Sequence, residues 1–155
     1  MNGRVRGEPS QLVRGKRFHA RIQAEWQADV TDIPLHVEHT MYRKSGRRGR
    51  MDVCLDEGSD WVSVIEIKAM DWDRMTPANV RRNVRRQIRQ IWSYVETYVD
   101  LEGRSVCAGI IFPDRPRDLK RTELIEQMFN HEGIQVVWHS ESMAELKVRM
   151  SGRGD

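Results

Sequence analysis

Little cysteine and no long apolar run narrow what this chain can be. Cys54 and Cys107 are its only cysteines among 155 residues, and both sit in apolar, strand-like runs. They read as reduced core residues, which argues against a disulfide scaffold, and no Cys/His cluster at zinc spacing occurs. No apolar stretch approaches the ~20 residues that span a bilayer, so no membrane partner is expected. The opening MNGRVRGEPS lacks the apolar core of a signal peptide, and a cytoplasmic site of action is expected. Repeats and dividing linkers are also missing. With 39% hydrophobic and 32% charged residues, the chain suits one domain with its own core. The net charge is only +3, so the placement of charge says more than the total.

The chain is organised around Arg50–Lys68, RMDVCLDEGSDWVSVIEIK. Met51, Val53 and Leu55 alternate with Asp52, Cys54 and Asp56, the period of a strand. Residues 57–60 supply turn chemistry. Trp61 to Ile67 is nearly all apolar or β-branched, as in a strand buried on both faces. A buried strand should not carry charge, yet Glu66 and Lys68 end this one, two apart and so on one face. Asp52 lies across the hairpin. Two converging carboxylates make a hard oxygen site suited to Mg²⁺ or Mn²⁺, and a lysine beside it can orient or help deprotonate a water.

Two basic segments flank this hairpin. Arg43, Lys44, Arg47, Arg48 and Arg50 form a loop with Gly46 and Gly49 as hinges, placed to grip a phosphate backbone. The pattern predicts a long helix over Asn79–Asp100, with Val84, Ile88, Ile91, Val95 and Val99 as its core stripe. Arg81, Arg82, Arg85, Arg86 and Arg89 have no acidic partners at helical spacing and read as a phosphate-facing ridge. Gln87 and Tyr94 lie at one edge of the apolar stripe, with Gln90 adjacent; Gln87 or Gln90 is expected to act at the site.

The remaining elements follow the same logic. Residues 1–14 are expected to be a flexible arm, with a helix read over Gln11–Val30 and firm from Gly15. Leu35–Tyr42 reads as a strand with Leu35, Val37, His39 and Met41 on one face, which puts His36 and His39 on opposite faces. Trp72 sits in a loop where it either stacks on a base or covers the core, and Asp71 and Asp73 are candidates for a second metal. Ser105–Phe112 reads as a central strand, Leu119–His131 as a helix, Ile134–His139 as a last strand and residues 141–155 as a tail with a short helix. The expected architecture is α/β, a mixed central sheet flanked by helices in the order α-β-β-β-α-β-α-β, with residues 15–140 as one domain.

Asp52 followed by Glu66-Ile67-Lys68 resembles the core motif of the PD-(D/E)XK nuclease superfamily, whose fold is called restriction-endonuclease-like; Met51 stands where that motif has proline. Gln90 to Tyr94 resembles the Gln-x-x-x-Tyr motif of its RecB-like members. The resemblance implies a metal-dependent nuclease, expected to act as an endonuclease on DNA. Asp52, Glu66 and the Ile67 carbonyl would hold the metal, Lys68 would position water, Glu25 of the first helix would complete the shell, and Gln90 and Tyr94 would meet the substrate. It also implies a setting as a junction-resolving or repair enzyme or as a bacterial toxin domain delivered from another cell, the latter with an immunity protein as partner. A homodimer is a further partner to consider. An RNase or tRNase on the same site, and a module that binds nucleic acid without cleaving it, remain the alternatives.

Overall fold

Period-two stretches become strands and period-3.6 stretches become helices almost where the sequence places them. The structure, a computed structural model, describes residues 10–43, 45–56, 58 and 60–152. Helix α1 (Ser10–Asp29) is followed by β1 (Leu35–Tyr42), β2 (Arg48–Asp56) and β3 (Trp61–Ile67), then α2 (Pro77–Glu96), β4 (Ser105–Phe112), α3 (Leu119–His131), β5 (Ile134–Trp138) and α4 (Met143–Ser151). Helix α1 already includes residues 10–14 of the expected arm, and residues 1–9 lie outside the described residues. The expected tail is largely α4, held at its start by a reciprocal capping box of Ser142 and Glu145. No helix among the described residues is long and apolar enough to cross a membrane.

The five strands form one mixed sheet in the order β1-β2-β3-β4-β5. The first two pairings are antiparallel and the last two parallel. Helix α1 covers one face, where Ile22 packs on Val53, Ile67 and Ile111. Helices α2 and α3 cover the other, burying Trp72, Phe112, Phe129 and Trp138 among aliphatic side chains. The start of α2 is fixed by Thr76, whose side chain accepts from the Asn79 N–H, and by Pro77 in the first turn. Its buried stripe is Val80, Val84, Gln87, Ile91, Tyr94 and Val95. Ile88 is only half-buried and Val99, which lies in a π-helical turn over Thr97–Leu101, is exposed.

The β1–β2 hairpin departs from regular alternation at one level. Its register pairs Val37 with Val53 and His39 with Met51, but skips Glu38 and Asp52 between them. Glu38 has φ 53°, the one positive φ at a non-glycine among the described residues. Beyond this point the strands turn over. Leu35 and Val53 pack on the α1 side, whereas Met41 and Met51 pack on the α2 side against Tyr94 and Tyr98. The sequence puts Met51 with Val53, and Leu35 with Met41, on common faces; the break separates both pairs. It also brings His36 and His39 together, with ring centroids 5.2 Å apart.

Candidate metal and nucleic-acid site

Strand β3 carries Val62, Val64 and Glu66 toward α2, so Glu66 enters the interior by the same alternation that buries the valines. Its side chain is 2% exposed. Gln90 Nε2 donates to Glu66 Oε2 at 3.4 Å, and Lys68 Nζ lies 3.9 Å from the same oxygen. Glu66 Oε1 is buried, and the carboxyl lies within hydrogen-bond reach of Asp52. Burial, and then the charge of Asp52, push the Glu66 carboxyl up to about 8, against the pull of Lys68 in the other direction.

Asp52 comes from the break in β2. The β2–β3 register begins at Val53 with Ile65, and one step further would set Asp52 opposite Glu66. There the strands part, and Asp52 Oδ2 accepts the Ile67 N–H at 2.8 Å. Ile67 thus meets Asp52 through its N–H. Asp52 Oδ1 lies 3.6 Å from His19 Nδ1, and Gln23 Nε2 donates to the Asp52 carbonyl at 3.0 Å. His19 and Gln23, both on α1, are site residues that the sequence reading missed. Their spacing of four beside Phe18 and Ile22 was the available signal, since it places them at the edge of the core stripe.

Other expected members lie elsewhere. Glu25 is engaged by His139 Nε2 at 2.9 Å and by Arg21 at 3.6 Å, and no three His, Cys, Asp or Glu side chains converge on a metal position among the described residues. Gln87 is buried under the sheet, with Nε2 on Met70 Sδ at 3.8 Å, so Gln90 is the glutamine that reaches Glu66. Trp72 is a core residue, 5.1 Å edge-on to Phe112. Asp71 pairs with Arg74, and Asp73 accepts the Arg117 N–H. Cys54 is buried as expected, but Cys107 is exposed because α1 covers only part of its face of the sheet.

Tyr94 fastens the basic hairpin over the site. Its hydroxyl donates to the Arg50 carbonyl at 3.1 Å and accepts from Arg43 Nη2 at 3.4 Å, while the Arg43 guanidinium stacks 5.2 Å from the ring centroid. Gly49 makes this approach possible, because a Cβ there would come within 2.8 Å of the Tyr94 ring. Arg50 pairs with Glu38 at 2.6 Å. Arg47 and Arg48 are exposed, and Lys44 lies outside the described residues. Arg81, Arg82, Arg85 and Arg89 are exposed and make no ion pair among the described residues; Arg86, also exposed, donates to Asn83. Beyond Lys68, a crevice of about 780 Å³ opens at the carboxyl ends of β3 and β4, lined in part by Arg14, Phe18, Met70, Arg74 and Arg115. Open α/β sheets commonly bind ligands at that end.

The donor set fits a hard divalent ion. A buried carboxyl lies within hydrogen-bond reach of a second carboxylate, and a proton shared there is what a cation would replace. Two protein carboxylates are enough for Mg²⁺, which keeps several of its waters. No protein-family model matches the chain, and no curated protein matches it.

Proposed function

We propose that the protein is a Mg²⁺- or Mn²⁺-dependent nuclease that hydrolyses phosphodiester bonds, with DNA as the first substrate to test. The observation that carries this reading is Glu66, a buried carboxyl that lies against Asp52 and is flanked by Lys68. Asp52 and Glu66 would hold the ion, which when bound would supply Lewis acidity and charge stabilisation at the phosphate. Gln90 orients Glu66 through its hydrogen bond. Lys68 stands beside Glu66 to orient the attacking water and to offset charge building up on the phosphate. The exposed arginines of the hairpin and of α2 supply the sequence-independent grip on the backbone. The resemblance of Asp52 and Glu66-Ile67-Lys68 to the PD-(D/E)XK motif supports the same reading, as does the mixed sheet with two antiparallel strands ahead of the parallel ones.

The test is incubation with plasmid, linear DNA and total RNA in Mg²⁺, Mn²⁺ or EDTA. Metal-dependent cleavage of DNA is the expected result. Cleavage of RNA alone moves the substrate to RNA, and binding without cleavage in any metal removes the enzymatic reading.

A further inference from the structure

We propose that Gln23 and Glu38 are positioning residues for Asp52. They hold open the break in the β1–β2 ladder that turns the Asp52 carboxylate onto the edge of β3. Their influence on metal affinity rests on the cation site proposed above; their influence on Asp52 does not.

A carboxylate on a regular strand stands perpendicular to the sheet and cannot reach a ladder N–H of its neighbour. Asp52 reaches one, the Ile67 N–H, because the β2–β3 ladder stops at Val53 and the β1–β2 ladder skips the Glu38–Asp52 level. Glu38 adopts φ 53° there, a conformation that side-chain-bearing residues avoid and that persists only where the surroundings enforce it. The enforcing contacts are visible. Gln23 Nε2 donates both to Glu38 Oε1 and to the Asp52 carbonyl, each at 3.0 Å, and Arg50 Nε grips Glu38 Oε2 at 2.6 Å. One amide from α1 therefore ties the strained residue of β1 to the backbone of the carboxylate residue of β2. Neither side chain touches the carboxylate oxygens of Asp52 or Glu66 in any described contact, so their action is through Asp52.

The experiment uses the full chain in three forms: Gln23→Met, which keeps length but no donor; Gln23→Lys, which keeps a donor; and Glu38→Gly, which removes the carboxylate and the strain together. Three quantities are read: hydrogen-exchange protection of the Ile67 amide without metal, the Mn²⁺ dissociation constant by calorimetry, and the melting temperature. Gln23→Met should lose Ile67 protection and weaken Mn²⁺ binding about 10-fold or more, the usual effect of removing a group that orients a ligand. Gln23→Lys should restore most of both. Glu38→Gly should weaken Mn²⁺ binding while the melting temperature holds or rises, a split that a merely structural role would not give. Unchanged Ile67 protection and Mn²⁺ affinity in Gln23→Met and Glu38→Gly would overturn the assignment. If the wild-type protein binds no Mn²⁺, the cation site falls, and the Ile67 amide still decides whether Gln23 and Glu38 position Asp52.

Discussion

Replacing Glu66 with glutamine should make the metal-free protein more stable at neutral and alkaline pH. The carboxyl is raised from 4.5 to about 8 by burial and by Asp52, so the folded state holds a proton that the unfolded chain releases. The sign follows. Below about pH 4.5 the group is protonated in both states and contributes nothing. Through the window from 4.5 to about 8 stability falls as pH rises, and above about 8 the loss is complete. At about 1.4 kcal/mol per tenfold change in proton affinity, the loss is on the order of 3 kcal/mol at pH 7 and somewhat more above pH 8. Glutamine mimics the protonated acid and titrates nowhere in this range. Urea unfolding of both forms in EDTA, from pH 4.5 to 9, should therefore give curves that coincide at the acid end, separate up to about pH 8 and run parallel beyond it. Mn²⁺ should close the gap by stabilising the wild type alone, since it binds the folded carboxylates. Parallel curves across the whole range would show that Glu66 is not held protonated, and the case for a cation site would lose its main support.

Three further outcomes follow from the same geometry. Lys68→Ala should abolish cleavage yet leave Mn²⁺ affinity within a few fold, because the lysine lies near Glu66 without being a ligand; calorimetry beside a cleavage assay checks both. Neutralising Arg81, Arg82, Arg85 and Arg86 together should weaken binding to all sequences alike and flatten the dependence of log K on log salt, by about 0.9 per lost duplex contact; titrations at several salt concentrations in Ca²⁺ read this. The Arg104 guanidinium holds the Asp56 carboxyl down at about 2, so its stabilisation is present above the ordinary value of 3.8 and lost as pH falls toward 2. Arg104→Ala should destabilise the protein at pH 6 and converge with the wild type near pH 2, as measured by thermal melts across that range.

Where side chains follow a regular backbone, the sequence is explicit. The limits of β1 and α3 coincide with the periodic runs Leu35–Tyr42 and Leu119–His131, and those of β4 with the continuous apolar run Ser105–Phe112. Glu66 and Lys68 could be singled out because charge at the end of an apolar strand has no ordinary explanation. The break at Glu38 was not legible, since glutamate at positive φ leaves no mark like that of glycine, and the parity arguments that cross it failed for Met51 with Val53, for Leu35 with Met41 and for the His36–His39 pair. Trp72 between two aspartates has the look of a loop, and only its long-range contact with Phe112 makes it core. The burial of Gln87 was available in principle. It completes the spacing of Val80, Val84, Ile91 and Tyr94, but a glutamine in an apolar stripe invites a functional reading before a packing one.

The contrast between the arginines and the carboxylates bears on which function the fold serves. A module that only binds nucleic acid needs cations on its surface, and the exposed arginines of α2 and the hairpin meet that need at no cost to the core. Such a module has no use for Glu66, whose ionised form costs several kcal/mol where it sits, nor for a strained Glu38, at about 1–3 kcal/mol. Both costs fall at one place, where the β2–β3 ladder opens and Asp52 turns toward its neighbour. Violations of local rules gather at functional sites because selection for stability alone would remove them. A cation between Asp52 and Glu66 would relieve the larger of the two, and metal-assisted chemistry on phosphate would use it, whereas binding to phosphate needs only the surface arginines.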